Sequence, residues 1–240
     1  MTALTSELFF DGRVKIVQES RGYRFSIDAV LLAGHVQAHA DEGLVDLGTG
    51  CGIIPLILAY RHPDARITGV EIQEELAVIA ARNVADNRMQ DRITILCRDM
   101  KDIDKDEIPG PVDTVVANPP YRKSHEGRQN PNRQRAIARH ELAVTLDDVI
   151  RTAQKILKAK GRLVMIYPAE GVADVMMRMK SLEFEPRLIR AVYSRPGRDA
   201  KRIIVEGIKN GRQGARIGPP LLIHDEAGAY SEEVLKMFQP

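Results

Sequence analysis

Four consecutive residues, Asn118-Pro119-Pro120-Tyr121, carry the groups best suited to chemistry in this sequence. Each proline fixes its own φ angle and lacks an N–H donor, so together they form a stiff backbone corner. The Asn118 side-chain oxygen and the Pro119 carbonyl can then accept both hydrogens of one NH2 group. Two such acceptors draw a conjugated amine toward tetrahedral geometry and aim its lone pair at an electrophilic methyl group. With Tyr121 stacking on a flipped base, this pattern predicts a catalytic turn for methylation of an exocyclic amine.

A glycine-rich segment, Asp46-Leu-Gly-Thr-Gly-Cys-Gly52, leaves one predicted strand and enters a predicted helix. Glycines allow a tight turn and let a ligand approach the backbone closely. Ligands of open α/β sheets bind beyond the carboxyl ends of the strands. The glycine spacing is G-x-G-x-G rather than the G-x-G-x-x-G of dinucleotide-binding loops, which argues against NAD.

An acid follows each of the next two predicted strands. Glu71, with Ile72 after it, can accept hydrogen bonds from two vicinal ribose hydroxyls, and Asp99, beside Met100, can accept one from an adenine amino group. Three strand ends that offer a glycine loop and two acids predict an adenosine-containing cofactor. The predicted cofactor-binding set is Asp46, Gly48, Thr49, Gly50, Glu71, Ile72, Asp99, Met100 and Asn118.

The net charge of +2 hides an uneven distribution along the chain. Residues 121–140 hold six Lys or Arg against one acid, and residues 186–216 hold nine against two, whereas residues 71–107 hold ten acids against six bases. Two basic segments suit a polyanionic partner on one face. Because the first segment follows the catalytic turn directly, we predict that it contacts nucleic-acid phosphates through Arg122, Lys123, Arg128, Arg133, Arg135 and Arg139.

Composition places the chain among globular proteins, with 44% hydrophobic and 28% charged residues in a length of 240. The longest apolar run, residues 53–60, is too short to cross a membrane. No secretory signal is visible near the start, so we expect a cytoplasmic location. Cys51 and Cys97 are isolated and lack the spacing of a metal site, so no metal is predicted.

Strand-like and helix-like patterns alternate along the chain, which predicts an α/β fold with a mostly parallel sheet and helices on both faces. The predicted helices cover residues 53–61, 74–87, 147–158 and 172–182. The seven predicted strands cover residues 44–47, 66–72, 92–97, 112–117, 161–167, 187–193 and 202–208. The last two strands are too close for a crossover helix, so we predict an antiparallel pair at the edge of the sheet.

The N-terminal region is predicted to form a cap on the same domain. Residues 13–18 and 23–25 have the pattern of a hairpin around Arg21-Gly22, and a helix begins at Ile27 with Ser26 as its N-cap. We therefore predict one domain over residues 1–240. It consists of the cap (1–40), the Rossmann-like core (41–210) and a C-terminal extension (211–240).

These motifs together resemble the class I S-adenosylmethionine-dependent methyltransferases that carry the amino-methyltransferase signature. Residues 18–33 and 138–141 further resemble segments of the bacterial tRNA(Val) adenine-N6 methyltransferases. The resemblance to this family covers essentially the whole chain. The resemblance implies a Rossmann-like fold, S-adenosylmethionine as cofactor and tRNA as partner, with adenine 37 beside the anticodon as the target. It also implies that Gly48, Gly50, Glu71 and Asp99 bind the cofactor, whereas residues 118–121 hold the target base.

Three alternatives remain open at this point. The same turn occurs in guanine-N2 methyltransferases and in protein glutamine-N5 methyltransferases that act on release factors. The glutamine enzymes resemble chains with a helical substrate domain ahead of the catalytic domain, whereas only 43 residues precede the first predicted sheet strand here. A non-catalytic RNA-binding protein is the third alternative, and an intact Asn118 argues against it.

Overall fold

The computed structural model describes residues 4–20, 24–119 and 144–239. Its helices are α1 (Ile27–His35), α2 (Ile53–Arg61), α3 (Glu74–Asp86), α4 (Leu146–Ile156), α5 (Val172–Ser181) and α6 (Glu232–Phe238). The first six strands are β1 (Leu4–Phe9), β2 (Val14–Glu19), β3 (Gly43–Leu47), β4 (Arg66–Glu71), β5 (Ile93–Cys97) and β6 (Val112–Ala117). The others are β7 (Leu157–Pro168), β8 (Phe184–Tyr193), β9 (Ala200–Lys209), β10 (Arg216–Ile217) and β11 (Leu221–Leu222).

Strands β3 to β9 form one sheet in the order β8-β9-β7-β6-β3-β4-β5, which confirms the α/β class and the seven predicted strands. Strands β3 to β7 are parallel to one another, and β9 is antiparallel to both of its neighbours, β7 and β8. The antiparallel pair therefore lies at the predicted edge, but β8 rather than β9 is the outer long strand. Two short strands, β10 and β11, extend this edge by pairing with β8. They were not predicted, because two residues are too few to show an alternating pattern.

Both faces of the sheet are covered by helices. Helices α1, α2, α3 and α6 and the β1–β2 hairpin pack on one face, whereas α4 and α5 pack on the other. Each face of the sheet therefore has its own hydrophobic core. Alternate residues of β6 point to opposite faces: Val116 packs in the core with α1, and Val115 and Ala117 pack in the core with α4. The start of helix α4 is determined by the local sequence. The Thr145 hydroxyl caps the helix by accepting a hydrogen bond from the Asp148 backbone N–H.

The N-terminal hairpin differs from the prediction. Residues 14–19 are a strand, as expected for most of the predicted segment 13–18, but their partner is β1, with Phe9 opposite Val14. The predicted partner, residues 23–25, was wrong, because Arg24 and Phe25 lie outside any strand and residue 23 lies outside the described residues. The turn lies instead at Phe10-Asp11-Gly12, where all three residues have positive φ. This Asp-Gly turn supplies the backbone conformation that the hairpin needs.

Asn83 of α3 attaches this hairpin to the rest of the fold. The fully buried Asn83 side chain accepts from the Val17 backbone N–H and donates to the Val17 carbonyl, each at 2.8 Å. It also donates to the Cys51 carbonyl at 2.8 Å, within the glycine-rich segment. This amide thus satisfies Val17 on the open edge of β2 and fixes the loop that leads into α2, while the Asn87 side chain bonds both backbone groups of Lys15 on the same edge.

The C-terminal extension closes the same face. Helix α6 lies against α1 at Gly34, where a Cβ atom would lie only 2.6 Å from Cγ of Met237. The Phe238 ring stacks on Phe9 with centroids 5.6 Å apart. Helix α1 begins at Ile27 after Ser26, as predicted, although the Ser26 side chain makes no capping hydrogen bond. The single-domain organisation stays a prediction, and this shared core favours it.

Candidate active site

The carboxyl ends of four parallel strands bring the candidate residues to one edge of the sheet. Leu47 of β3 pairs with Ala117 of β6 on one side and with Val70 of β4 on the other. Gly48, Glu71 and Asn118 therefore leave the sheet next to one another. On β5, Cys97 pairs with Glu71, and Asp99 follows two residues later. The predicted cofactor loop, both acids and the start of the catalytic turn thus meet at the same edge.

Backbone hydrogen bonds fold the glycine-rich loop over the end of β4. The N–H groups of Gly48 and Thr49 both donate to the Val70 carbonyl, at 2.9 and 3.0 Å. Gly48 and Gly50 have φ angles of 79° and 58°, a region that residues with a Cβ atom rarely adopt. The nearest atom to a Cβ added at Gly48 would be Cε of Met100, at 3.8 Å. The loop therefore leaves open space directly above its backbone, where a ligand can approach.

Glu71 has a structural role that sequence reasoning missed. Its Oε2 accepts from the Gly50 N–H and its Oε1 from the Gln73 N–H, each at 2.9 Å. The residue is 5% exposed, and each carboxylate oxygen can accept a second hydrogen bond. Glu71 can therefore hold the loop and still bind a pair of hydroxyl groups. The expected strand-end acid revealed only the second of these roles.

Asp46 and Thr49 form a buried polar pair at the base of the loop. Among the described residues, neither carboxylate oxygen of Asp46 nor the Thr49 hydroxyl has a hydrogen-bond partner, and both residues are almost fully buried. Burial raises the pKa of Asp46 to about 7. The Thr49 hydroxyl, near the carboxylate but outside hydrogen-bonding geometry, opposes this rise, and the charge of Glu71 adds to it. A buried acid without a partner is suited to a ligand that carries positive charge or hydrogen-bond donors.

The outer part of the candidate site combines apolar and acidic side chains. Ile72 is 39% exposed, which leaves an apolar surface beside Glu71, whereas Met100 is buried against the loop. Asp99 accepts from the Lys101 backbone N–H at 3.0 Å, and the Lys101 ammonium lies 3.3 Å from its other oxygen. An incoming adenine amino group would therefore share Asp99 with Lys101.

The structure describes half of the predicted catalytic turn. Asn118 is half-buried and Pro119 is buried at the end of β6. Pro120 and Tyr121 lie outside the described residues, as do all six predicted RNA-binding residues, namely Arg122, Lys123, Arg128, Arg133, Arg135 and Arg139. Within residues 4–20, 24–119 and 144–239, no cluster of His, Cys, Asp or Glu side chains could hold a metal ion. None of the helices in these ranges is long and apolar enough to span a bilayer.

A family comparison identifies the fold around this edge. The model of the methyltransferase small domain matches residues 24–182, a range that contains every strand end described above. The chain belongs to the methyltransferase small domain family.

Curated relatives of this methyltransferase share one name. A tRNA1(Val) (adenine(37)-N6)-methyltransferase of Porphyromonas gingivalis is 31% identical over 99% of this chain and 95% of its own length. A protein of the same name from Bacteroides thetaiotaomicron is 32% identical over 86% of this chain and 84% of its own length. The similarity therefore extends beyond the family match to the hairpin and the C-terminal extension.

Solved structures also resemble this methyltransferase. A predicted O-methyltransferase from Agrobacterium tumefaciens superposes with a TM-score of 0.71, at 28% identity, over 88% of this chain and 94% of that one. A geranyl diphosphate methyltransferase in complex with SAM superposes with a TM-score of 0.53, at 14% identity, over 76% of this chain and 84% of that one. At that identity the second likeness shows the shared Rossmann-like fold alone.

Proposed function

We propose that this protein transfers a methyl group from S-adenosylmethionine to the N6 amine of adenine 37 in tRNA1(Val). The observation that carries the proposal is the position of Asn118-Pro119, which leaves β6 directly beside the glycine loop that follows β3. An amine-holding corner and a cofactor loop are thus neighbours at one sheet edge. The shared name of the relatives then selects adenine 37 among the possible amines.

The residues at the edge fit S-adenosylmethionine. When bound, this cofactor supplies an electrophilic methyl group on a cationic sulfonium. Asp46, buried and without a hydrogen-bond partner among the described residues, offers a carboxylate to the cationic end, and Gly48 leaves room for the cofactor to approach the backbone. Glu71 has the remaining acceptor capacity for the ribose hydroxyls. The adenine ring would lie against three further residues of the proposed set, Ile72, Asp99 and Met100.

Asn118 and the following prolines position the nucleophile. The Asn118 side-chain oxygen and the Pro119 carbonyl accept the two hydrogens of the adenine NH2 group, so its lone pair is directed at the methyl carbon. As the new N–C bond forms, the bond between the methyl carbon and the cofactor's sulfur would break and leave its electron pair on sulfur. The nitrogen, cationic at that stage, loses a proton to water without a dedicated base. Pro120 stiffens the corner, and Tyr121 stacks on the flipped base.

The tRNA backbone is the proposed partner of the basic segment after this turn. In this proposal, phosphate contacts orient the anticodon loop over the pocket and are made by Arg122, Lys123, Arg128, Arg133, Arg135 and Arg139. Such contacts fix the register of the RNA without reading its sequence. A tRNA substrate also fits the cytoplasmic location expected from the sequence.

Transfer to oxygen is the second candidate, because the relative from Agrobacterium tumefaciens is described as a predicted O-methyltransferase. A hydroxyl nucleophile presents one hydrogen and gains from a general base that removes it. The Asn118-Pro119 corner offers two neutral acceptors and no base, which suits an amine. The glutamine-N5 and guanine-N2 alternatives use the same corner, and none of the relatives described above carries either name.

Replacing Asn118 with alanine tests the proposal. We expect methyl transfer to a tRNA1(Val) transcript to fall roughly 100- to 1,000-fold, as when one preorganised transition-state contact is removed. Cofactor affinity by calorimetry should stay near the wild-type value, because the variant keeps the other eight residues of the predicted cofactor-binding set, whereas the amine loses one of its two acceptors.

Two controls sharpen this experiment. Asn118→Asp keeps an acceptor oxygen and should retain more activity than Asn118→Ala. A transcript with guanine at position 37 should receive no methyl group from the wild-type protein. Unchanged transfer by Asn118→Ala would refute the catalytic role, and equal methylation of both transcripts would refute the target.

A further inference from the structure

A second basic loop lies at the active-site edge, although the sequence separates it from the catalytic turn. Strand β9 is antiparallel to both β7 and β8, so β8 runs in the same direction as β7 and β6. The carboxyl end of β8, at Tyr193, therefore lies at the same edge as Asn118. The loop that follows, residues 194–199, carries Arg195 and Arg198 against the single acid Asp199, and Lys201 lies just beyond it as the second residue of β9.

This loop has a defined backbone conformation. The Arg198 N–H donates to the Arg195 carbonyl at 3.4 Å, which closes a four-residue turn. Pro196 and Gly197, the latter with a φ of 69°, occupy the two central positions, the sequence signature of a type II turn. Such a turn holds its first and last Cα atoms within about 7 Å. The two arginines are thus presented as a pair.

The C-terminal extension anchors the base of this turn. The Ile223 N–H donates to the Tyr193 carbonyl at 2.9 Å, and the His224 N–H donates to the Ser194 carbonyl at 3.1 Å. The turn therefore projects from a fixed point on the sheet. This attachment also gives a function to β11 and the residues that follow it.

The positive charges of this turn are available to a partner. Arg195, Arg198 and Lys201 are exposed, and none of them forms an ion pair with any residue that the structure describes. Neighbouring arginines are used differently: Arg202 lies 2.9 Å from the Asp28 carboxylate, and Arg190 lies 2.7 Å from Glu233. Structural ion pairs thus hold these two arginines, whereas the three exposed cations at the loop remain for an external anion.

One aromatic side chain of the C-terminal extension that anchors this loop, Tyr230, is already engaged in stacking. Tyr230 is 40% exposed, but its ring stacks on His224 at 5.1 Å and on Phe238 at 5.6 Å between centroids. Stacking on unpaired bases requires a free aromatic face. With the Tyr230 ring engaged, the exposed cations make this surface suited to the sugar-phosphate backbone.

We infer that Arg195, Arg198 and Lys201 bind phosphates of the same RNA whose adenine enters the site at Asn118. This inference rests on the proposed function. Three strand spacings separate β8 from β6, or about 14 Å along the sheet, so one RNA hairpin can contact both places. The loop supplies a rigid electrostatic contact that fixes the orientation of the RNA while residues 118–121 hold the base.

Replacing both arginines of the turn tests the inference. The double variant Arg195→Ala, Arg198→Ala should lower the slope of log affinity against log salt concentration by about 1.4, at roughly 0.7 for each contact with single-stranded RNA. A slope difference of about 1.4 acts over the tenfold change from 1 M to 0.1 M salt. At 0.1 M salt the Kd of the variant for a tRNA1(Val) transcript should therefore be about 25-fold higher than that of the wild type. Cofactor affinity should not change.

Two further variants control for charge and for structure. Arg66→Ala with Lys105→Ala removes the same charge from exposed side chains at the opposite edge of the sheet, where β4 and β6 begin, and should bind tRNA as the wild type does. Arg195→Lys with Arg198→Lys keeps the charge and should restore most of the affinity.

Three outcomes separate the hypotheses. A lower salt slope in the alanine variant alone supports the inference. A wild-type slope and Kd in that variant, while the wild-type protein methylates tRNA, overturns the inference and leaves the proposed function standing. A wild-type protein that neither binds nor methylates the transcript overturns the proposed function, and the inference with it.

Discussion

Replacing the buried Asp46 with asparagine should remove a pH-dependent cost from the folded protein. Burial raises the pKa of Asp46 from 3.8 to about 7, so the folded state holds its proton more tightly than the unfolded state does. For an acid with a raised pKa, stability is full below pH 4 and falls as the pH rises toward 7. The loss between pH 5 and 8 is roughly 2 to 3 kcal/mol, because one pKa unit corresponds to about 1.4 kcal/mol.

Urea unfolding of the two proteins at several pH values measures this cost. Groups other than Asp46 titrate alike in both proteins, so the difference in the free energy of unfolding isolates this carboxyl group. We expect Asp46→Asn to gain stability relative to wild type by roughly 2 to 3 kcal/mol as the pH rises from 5 to 8. A difference that stays constant over this range would show that Asp46 is not held in its neutral form.

The same carboxyl group should make cofactor binding depend on pH. A cationic ligand beside Asp46 favours the ionised form, so binding should release a proton and tighten as the pH rises. If the bound form titrates below pH 5.5, affinity should rise up to about 30-fold between pH 5.5 and 8. Calorimetry in buffers of different ionisation enthalpy measures the proton release, and Asp46→Asn should abolish it. Equal proton release by both proteins would assign the linkage to another group.

Two further changes test how the site is supported and how it meets RNA. Asn83→Leu leaves three buried backbone groups of Val17 and Cys51 without partners, and we expect it to lower the free energy of unfolding by about 3 kcal/mol or more in urea. A loss below 1 kcal/mol would show that water replaces the amide. In the basic segment after the catalytic turn, three alanine substitutions should weaken tRNA binding and flatten its salt dependence. Those substitutions are at Arg133, Arg135 and Arg139, and an unaltered salt slope would locate the RNA elsewhere.

The parts of the fold that local patterns determine were predicted well. The ends of β3, β4 and β6 matched their expected positions within one residue, because a short apolar run followed by glycine or a polar residue marks where a buried strand stops. The strand ends alone therefore predict that Gly48, Glu71 and Asn118 lie at one edge of the sheet. Helix α4 was predicted to end two residues too late, since the apolar stripe continues from Ile156 into Leu157, where β7 begins.

Contacts between distant segments could not be predicted from local patterns. The hairpin partner was wrong because Arg21-Gly22 and Asp11-Gly12 both have turn composition, and only packing against α3 selects the second. The role of Glu71 in fixing Gly50 was missed for the same reason, since a strand-end acid does not reveal which N–H groups will face it. The position of Arg195 and Arg198 near the active site could not be predicted either, because it depends on the direction in which β8 runs.

The stacking of Phe9 on Phe238 has a consequence for how the protein is made. These two rings belong to β1 and α6, the first and last elements that the structure describes, so this side of the core needs both of them. Contacts over such long sequence separations form late, after the local strand and helix units. During synthesis, the apolar side of the hairpin with Phe9 and Phe10 therefore stays exposed until α6 has been made. We expect shortened chains that lack α6 to aggregate even though every residue of the proposed active site is present.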